Sequence, residues 1–199
     1  MKTVKIVCIV CAIAALISLL GCGRLKITDA EALDILNGLV PKAAEINEIF
    51  FGAGLPAAYD DVENDDTSMA RYVQVSGDCP YRTVADIKRA AEEVYSAKYL
   101  SSVYVSMFEG TSAGEEDAAV ATISPRYREI GGVLCVNVNA PSYNIRRIAS
   151  VRTAQITGNA KKRVKVLCDC ALNDGTEETG VELYLTMENG RWVLQSPSY

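Results

Sequence analysis

The 199-residue sequence contains no histidine. Histidine is the usual general base near neutral pH, it activates serine and cysteine nucleophiles, and it is the commonest metal ligand. Its absence excludes Ser-His and Cys-His catalysis and every metal site that includes an imidazole. An enzyme built on this chain would depend on carboxylates, lysine or tyrosine. We therefore expect a protein without catalytic activity, metal or other cofactor.

Basic residues are also scarce, with 20 Lys and Arg against 25 Asp and Glu. Lys2 and Lys5 lie in the N-terminal segment, so residues 22–199 carry 18 basic and 25 acidic residues, a net charge of −7. This balance disfavours nucleic acid as a partner and gives no attraction to anionic lipid headgroups. Attachment to a membrane would have to depend on acyl chains.

A hydrophobic run occurs at the N-terminus, where residues 6–20 are almost wholly apolar. This run is short for a transmembrane anchor, which needs about 20 residues. The basic start and the small residues at the end are instead typical of a secretion signal. Its last four residues, Leu19 to Cys22, resemble the lipobox of bacterial lipoproteins, which implies cleavage before Cys22 and a diacylglyceryl, palmitate-bearing group on that thiol.

These features predict the organisation and location of the chain. Residues 1–21 form the signal peptide, residues 22–28 a short tether, and residues 29–199 a single domain of ordinary size. We expect the protein to be extracytoplasmic and held at the outer face of the bacterial cytoplasmic membrane through the lipid on Cys22.

Four cysteines remain beyond the lipobox: Cys79, Cys135, Cys168 and Cys170. An exported protein can oxidise them, and four cysteines allow three pairings that the sequence does not separate. Zinc is disfavoured because the single-residue spacer between Cys168 and Cys170 is shorter than zinc sites use. Both thiols face one largely apolar side of a predicted strand, which favours packing over reactivity.

Three helices are predicted in the first half. Thr28 and Glu31 form a capping box before an apolar stripe that runs to about residue 50, with Pro41 expected to kink or split the helix. Residues 83–86 open a second helix, and the stripe over residues 100–108 predicts a third.

The second half changes to strands. Residues 126–130 and 133–138 flank a Gly131-Gly132 hairpin, and residues 71–76, 145–157, 164–172 and 181–187 also read as strands, the last turning at Asn189-Gly190. The prediction is an α+β fold in which N-terminal helices pack on one face of a curved antiparallel sheet formed by the C-terminal half.

An acidic segment follows the first helix. Asp60, Asp61, Asp65 and Asp66, with Glu63, lie within seven residues. Their spacing lacks the turn glycine and the distal glutamate of a calcium-binding EF-hand loop, so we interpret the segment as a solvated loop. The four aspartates are candidate partner-binding residues, because exposed charge steers association with a basic surface.

Several segments resemble bacterial proteins of the IseA type: residues 39–56, 81–88, Arg126 with Tyr127, 188–194 and 196–199. The order of elements also resembles the cone-shaped, cystatin-like fold of the nuclear-transport-factor-two-like superfamily. The resemblance implies an inhibitor that binds papain-like DL-endopeptidases, the autolysins of the cell wall. The lipobox departs from the freely secreted type member of this family.

An alternative function is a small-ligand-binding cone without catalysis. Its pocket would be lined by aromatic side chains, namely Tyr104, Tyr127, Tyr143, Tyr184 and Trp192. The two functions make different structural predictions. Aromatic rings that do not pack on one another favour a ligand pocket, whereas a filled interior favours partner binding.

Overall fold

A computed structural model of the protein describes residues 27–58, 70–110, 124–143, 147–160, 162–195 and 197. Cys22 and the four aspartates of the acidic segment lie outside these residues. Within the described part of the chain, no helix is long and apolar enough to cross a membrane.

The longest helix, α1, spans Asp29–Phe51 and begins where the capping box predicts. The Thr28 hydroxyl accepts a hydrogen bond from the Glu31 amide, and the Glu31 carboxylate accepts one from the Thr28 amide. This reciprocal pairing satisfies two backbone donors that the first turn leaves free. Pro41 lies inside α1 without splitting it.

Two shorter helices follow. Helix α2 spans Val84–Glu92 and begins with a second capping box, in which Thr83 and Asp86 exchange hydrogen bonds. Helix α3 spans Ala97–Tyr104 and continues directly into a π-helical segment, Val105–Glu109. The predicted third helix is therefore confirmed, and its last turn is wider than an α-helical turn.

Within the described residues, seven strands form two antiparallel sheets. The three-stranded sheet has the order β1-β3-β2, with β1 at Tyr72–Gln74, β2 at Tyr127–Ile130 and β3 at Val133–Asn137. The four-stranded sheet follows chain order, with β4 at Ile148–Ala160, β5 at Arg163–Leu172, β6 at Glu177–Glu188 and β7 at Arg191–Leu194. Helix α1 packs against β4. The predicted α+β class is confirmed, and its strands divide into two sheets.

Both predicted turns are present. Gly131 and Gly132 join β2 to β3 with φ values of +60° and +79°, and Asn189 and Gly190 join β6 to β7 with φ values of +51° and +78°. Two consecutive residues with positive φ match the right-handed twist of the flanking strands, which is why Gly-Gly and Asn-Gly suit these positions.

The core lies between α1 and the inner face of the four-stranded sheet. Along β5 every second residue is buried, as the alternation predicts: Val164, Val166, Cys168, Cys170 and Leu172. They pack with the buried face of α1, which includes Leu36, Val40, Ala43 and Phe50. Burial of this apolar surface supplies the main driving force for the fold.

The four cysteines beyond the lipobox, all within the described residues, are buried free thiols. Among the alternatives that the sequence leaves open, the structure therefore has packed thiols. Burial raises the pKa of Cys168 to about 12 and that of Cys170 to about 11, with the nearby Asp169 carboxylate acting in the same direction. Both thiols stay neutral at physiological pH, which suits residues that fill a core.

Candidate partner-binding surface

The turn after α1 is hydrogen-bonded to a buried arginine. Arg126 is only 5 % exposed, and its guanidinium donates hydrogen bonds to the carbonyl oxygens of Gly52, at 2.6 Å, and Pro141, at 2.8 Å. Bonds from a charged donor are stronger than neutral ones. They fix the chain as it leaves the helix.

The neighbouring Tyr127 holds the same turn from both sides. Its hydroxyl donates to the carbonyl oxygen of Ile49, at 2.7 Å, and accepts from the amide of Leu55, at 3.0 Å. Gly54 lies between these contacts with a φ of +83°, and a Cβ atom there would lie 2.7 Å from the Arg126 guanidinium. Glycine is required at this position both for the backbone conformation and for the close approach.

A second loop, residues 76–82, packs beside this turn. The Ser76 amide donates to the Pro56 carbonyl at 2.8 Å. The Arg82 guanidinium donates to the carbonyls of Ser76 and Gly77, and the Arg82 amide donates to the Asp86 carboxylate. That carboxylate also caps α2, so the start of α2 and the loop are positioned together.

An open depression of about 330 Å³ lies between the end of α1 and this loop. Its floor is apolar and includes the buried side chains of Ile49, Leu55 and Cys79. Three of its lining residues, Glu45, Glu48 and Asp78, are acidic. The complete lining consists of Glu45, Glu48, Ile49, Leu55, Pro56, Asp78, Cys79, Pro80 and Tyr81. We call this depression the α1 groove.

Two further depressions adjoin the groove at Tyr81. One of about 350 Å³ reaches along β1 to Val133 and Leu134 of β3, and one of about 180 Å³ lies against α2. Tyr81 lines all three depressions. We call the three together the Tyr81 surface.

The acidic residues of the groove differ in how they are partnered. The Glu48 carboxylate pairs with the Arg147 guanidinium at 2.5 Å and also accepts from the Ala53 amide. Glu45 accepts a hydrogen bond from the Tyr81 hydroxyl at 2.8 Å. Among the described residues, Asp78 has no partner for its carboxylate. The carboxylates of Glu45 and Asp78 therefore give the groove a negative charge, since neither forms an ion pair with a described residue.

Tyr81 remains a neutral hydrogen-bond donor. Partial burial and its bond to Glu45 both raise the pKa of the phenol well above its ordinary range. A phenolate beside a carboxylate would be disfavoured by like-charge repulsion.

No family model matches this chain, and no curated protein is found to match it.

The large apolar side chains that stay exposed lie close together in sequence. Within the described ranges they are Ile130, Val133, Val138 and Tyr143. Ile130 and Val133 flank the Gly131-Gly132 turn at the hairpin tip, and Val133 also lines the Tyr81 surface. Ile130 and Val133 are paired across the hairpin, and adjoining exposed apolar side chains are typical of an interaction surface.

The five aromatic residues of the alternative pocket have different surroundings. Tyr104 and Tyr127 both contact the ring of Phe108, with centroid distances of 5.3 Å and 6.2 Å. Tyr143 is 56 % exposed, and the Tyr184 ring lies under the Arg163 guanidinium. Trp192 packs against the core from β7.

The candidate acidic residues, Asp60, Asp61, Asp65 and Asp66, lie outside the described residues, but the chain on either side of them is defined. Ala57 pairs with Val75, and the Ala58 amide donates to the Gln74 carbonyl at 2.8 Å. On the other side, the Arg71 carbonyl accepts from the Val138 amide. The described residues that precede the acidic segment, Ala57 and Ala58, thus lie beside the end of β1, the strand that contributes to the Tyr81 surface.

Sequence reasoning missed Glu45, Asp78 and Cys79 as surface-forming residues, and it included Tyr81 only in a segment that carries the resemblance. A short Asp78-Cys79-Pro80-Tyr81 sequence between a strand and a capping box is the signal that marks a tight, exposed loop. In the described ranges, no group of three or more His, Cys, Asp or Glu side chains is placed to hold a metal ion.

Proposed function

We propose that the protein is a lipid-anchored, extracytoplasmic interaction module that binds and restrains an exported cell-wall DL-endopeptidase. The observation that carries the proposal is the meeting of separate segments that resemble IseA-type proteins. Ile49, Leu55 and Pro56 from one segment and Tyr81 from another line the α1 groove. Arg126 and Tyr127, from a third, hold the turn that forms its wall.

The packing of the interior supports a protein partner over a small ligand. Phe50 and Tyr127 both contact Phe108, and Tyr104 packs edge-on against the same ring at 5.3 Å. These four aromatic side chains thus pack against one another instead of enclosing a cavity. The three depressions of the Tyr81 surface are open, which suits the side chains of another protein.

The exposed hairpin tip supports the same conclusion. Ile130 is 52 % exposed and Val133 is 40 % exposed, although both are β-branched apolar residues. A partner that covered them would gain the hydrophobic stabilisation that the free protein lacks. Because Val133 lines the Tyr81 surface, one partner can cover the tip and the groove together.

The proposal is tested by inhibition. The mature protein, purified in detergent from cells expressing the full chain, is added to each purified exported DL-endopeptidase of the source bacterium, with peptidoglycan as substrate. We expect saturable inhibition. Val133→Asp should weaken it, because a carboxylate at the tip would be desolvated in the complex. The control is Ser101→Asp, which adds the same charge to an exposed position on α3.

The possible results distinguish the proposed inhibitory function from the proposed contact at the hairpin tip. If no endopeptidase is bound or inhibited at a large molar excess of the unaltered protein, the proposed function is wrong, and the small-ligand alternative is tested next. If Val133→Asp and Ser101→Asp inhibit equally, the function stands and the hairpin tip is not part of the contact.

A further inference from the structure

We infer that the α1 groove receives a lysine or arginine side chain of the partner. The inference rests on the proposed function and adds to it the chemistry of one contact. It follows from the shape of the groove, from the charge of the residues around it, and from the way in which long cationic side chains bury their stems.

The floor of the groove suits the aliphatic part of such a side chain. Ile49 is 4 % exposed, Leu55 7 % and Cys79 4 %, and Pro56 and Pro80 add rigid apolar walls. Lysine and arginine lay their methylene groups along apolar surfaces while the charged end reaches a polar edge. A floor of this kind stabilises the stem through the hydrophobic effect.

The residues around the groove suit the charged end. Asp78 has no partner among the described residues, and Glu45 accepts one hydrogen bond, from Tyr81. Each carboxylate oxygen accepts up to two hydrogen bonds, so both groups retain free acceptor positions. Glu48, the third acidic residue of the groove, is by contrast already paired with the Arg147 guanidinium.

Other occupants match the groove less well. A metal ion replaces its hydration shell with several oxygen ligands, whereas this floor presents carbon and sulfur atoms. An acidic side chain would meet Asp78 and Glu45 at close range, and like charges repel. A purely apolar side chain would desolvate the carboxylates without a compensating hydrogen bond.

The first test measures binding of the endopeptidase that the unaltered protein inhibits. Glu45→Gln combined with Asp78→Asn removes both free charges while keeping the side-chain shapes. We expect the dissociation constant to rise at least about tenfold, mainly through faster dissociation. Asp34→Asn combined with Glu177→Gln is the matched control, because it changes the net charge equally. Asp34 lies about 16 Å from Glu45 along α1 at 1.5 Å per residue, and Glu177 begins β6.

Equal dissociation constants for the two double variants would overturn the inference and leave the proposed function intact. Weakening confined to the Glu45→Gln, Asp78→Asn variant would support it. Thermal unfolding of both variants is measured alongside. A variant that unfolds at the temperature of the unaltered protein shows that lost binding is not lost structure.

The second test does not depend on the endopeptidase. The mature protein in detergent is titrated with N-acetyl-lysine-N-methylamide and, as the comparison, with the norleucine amide, which has a similar stem and no charge. We expect saturable NMR shifts at Leu55, Cys79 and Tyr81 with the lysine amide only. Equal shifts with both probes, or none with either, would overturn the inference even if inhibition is observed.

Discussion

The side-chain amide of Asn37 on α1 pairs with the backbone of Val151 on β4. Asn37 Nδ2 donates to the Val151 carbonyl at 3.0 Å, and the Val151 amide donates to Asn37 Oδ1 at 3.0 Å. Strand β4 is at the edge of its sheet, so its outward backbone groups would otherwise be unpaired. Asn37 therefore pairs two backbone groups of an edge strand that would otherwise be free to associate with another strand.

Replacing Asn37 with Ala should lower the free energy of unfolding by about 1–2 kcal/mol, because two partly buried backbone groups lose their partner. Urea denaturation measures the change. Asp34→Ala, at an exposed position three residues earlier on the same helix, is the control. Similar values for the two variants would show that the pairing contributes nothing to stability.

Alanine at Gly54 should destabilise the fold more than alanine at Gly132. Both glycines have positive φ, which costs other residues about 1–2 kcal/mol. At Gly132 the new Cβ meets no atom within 4 Å, whereas at Gly54 it lies 2.7 Å from the Arg126 guanidinium. Denaturation of the two variants isolates the steric contribution. A Gly54→Ala protein as stable as Gly132→Ala would contradict the close contact.

The buried thiols should make the fold less stable at alkaline pH. Their pKa values, about 12 for Cys168 and about 11 for Cys170, exceed the ordinary 9.0. Above pH 9 the unfolded chain loses these protons while the native state retains them, so the free energy of unfolding falls as pH rises from about 9 towards about 12. Calorimetry across this range measures the slope, which Cys168→Val with Cys170→Val should reduce.

Substitutions at Cys168 and Cys170 also distinguish a packing role of these thiols from a chemical role. Cys168→Ser or Cys170→Ser should destabilise the fold, since a buried hydroxyl without a partner costs about 1–3 kcal/mol. Inhibition of the endopeptidase by the folded variants should be unchanged. Stoichiometric zinc in the unaltered protein, lost with either substitution, would contradict a purely structural role.

Changing Cys22 to Ser should release the protein from the membrane. The predicted lipid is attached to the Cys22 thiol, and the net negative charge offers no attraction to anionic lipid. Cell fractionation and metabolic labelling with a palmitate analogue give the measurement. If the Cys22→Ser variant stays in the membrane fraction to the same extent as the unaltered protein, the lipid anchor is not what holds it there.

Neutralising the acidic segment should slow association with the endopeptidase. Asp60, Asp61, Asp65 and Asp66 changed together to Asn remove long-range steering, which is screened beyond about 8 Å at physiological salt. We expect the association rate to fall at low salt and the dissociation rate to change less. Unchanged association rates at low salt would place the contact away from this segment.

Local sequence determined the starts of the helices and the tight turns. A capping box needs only residues three positions apart, as with Thr28 and Glu31, and a two-residue hairpin needs only the glycines that tolerate positive φ. The burial of alternate β5 residues could also be predicted from the sequence, because strand geometry alone sends successive side chains to opposite faces.

Tertiary structure alone decided which strands share a sheet and where a surface forms. Tyr72 pairs with Asn137, although helices α2 and α3 lie between them in the sequence. No local preference encodes that pairing. The α1 groove likewise needs Glu45, Leu55 and Tyr81 to be brought together by Arg126 and Tyr127. Such contacts depend on how buried faces fit one another, and this fit is a property of the whole packed chain.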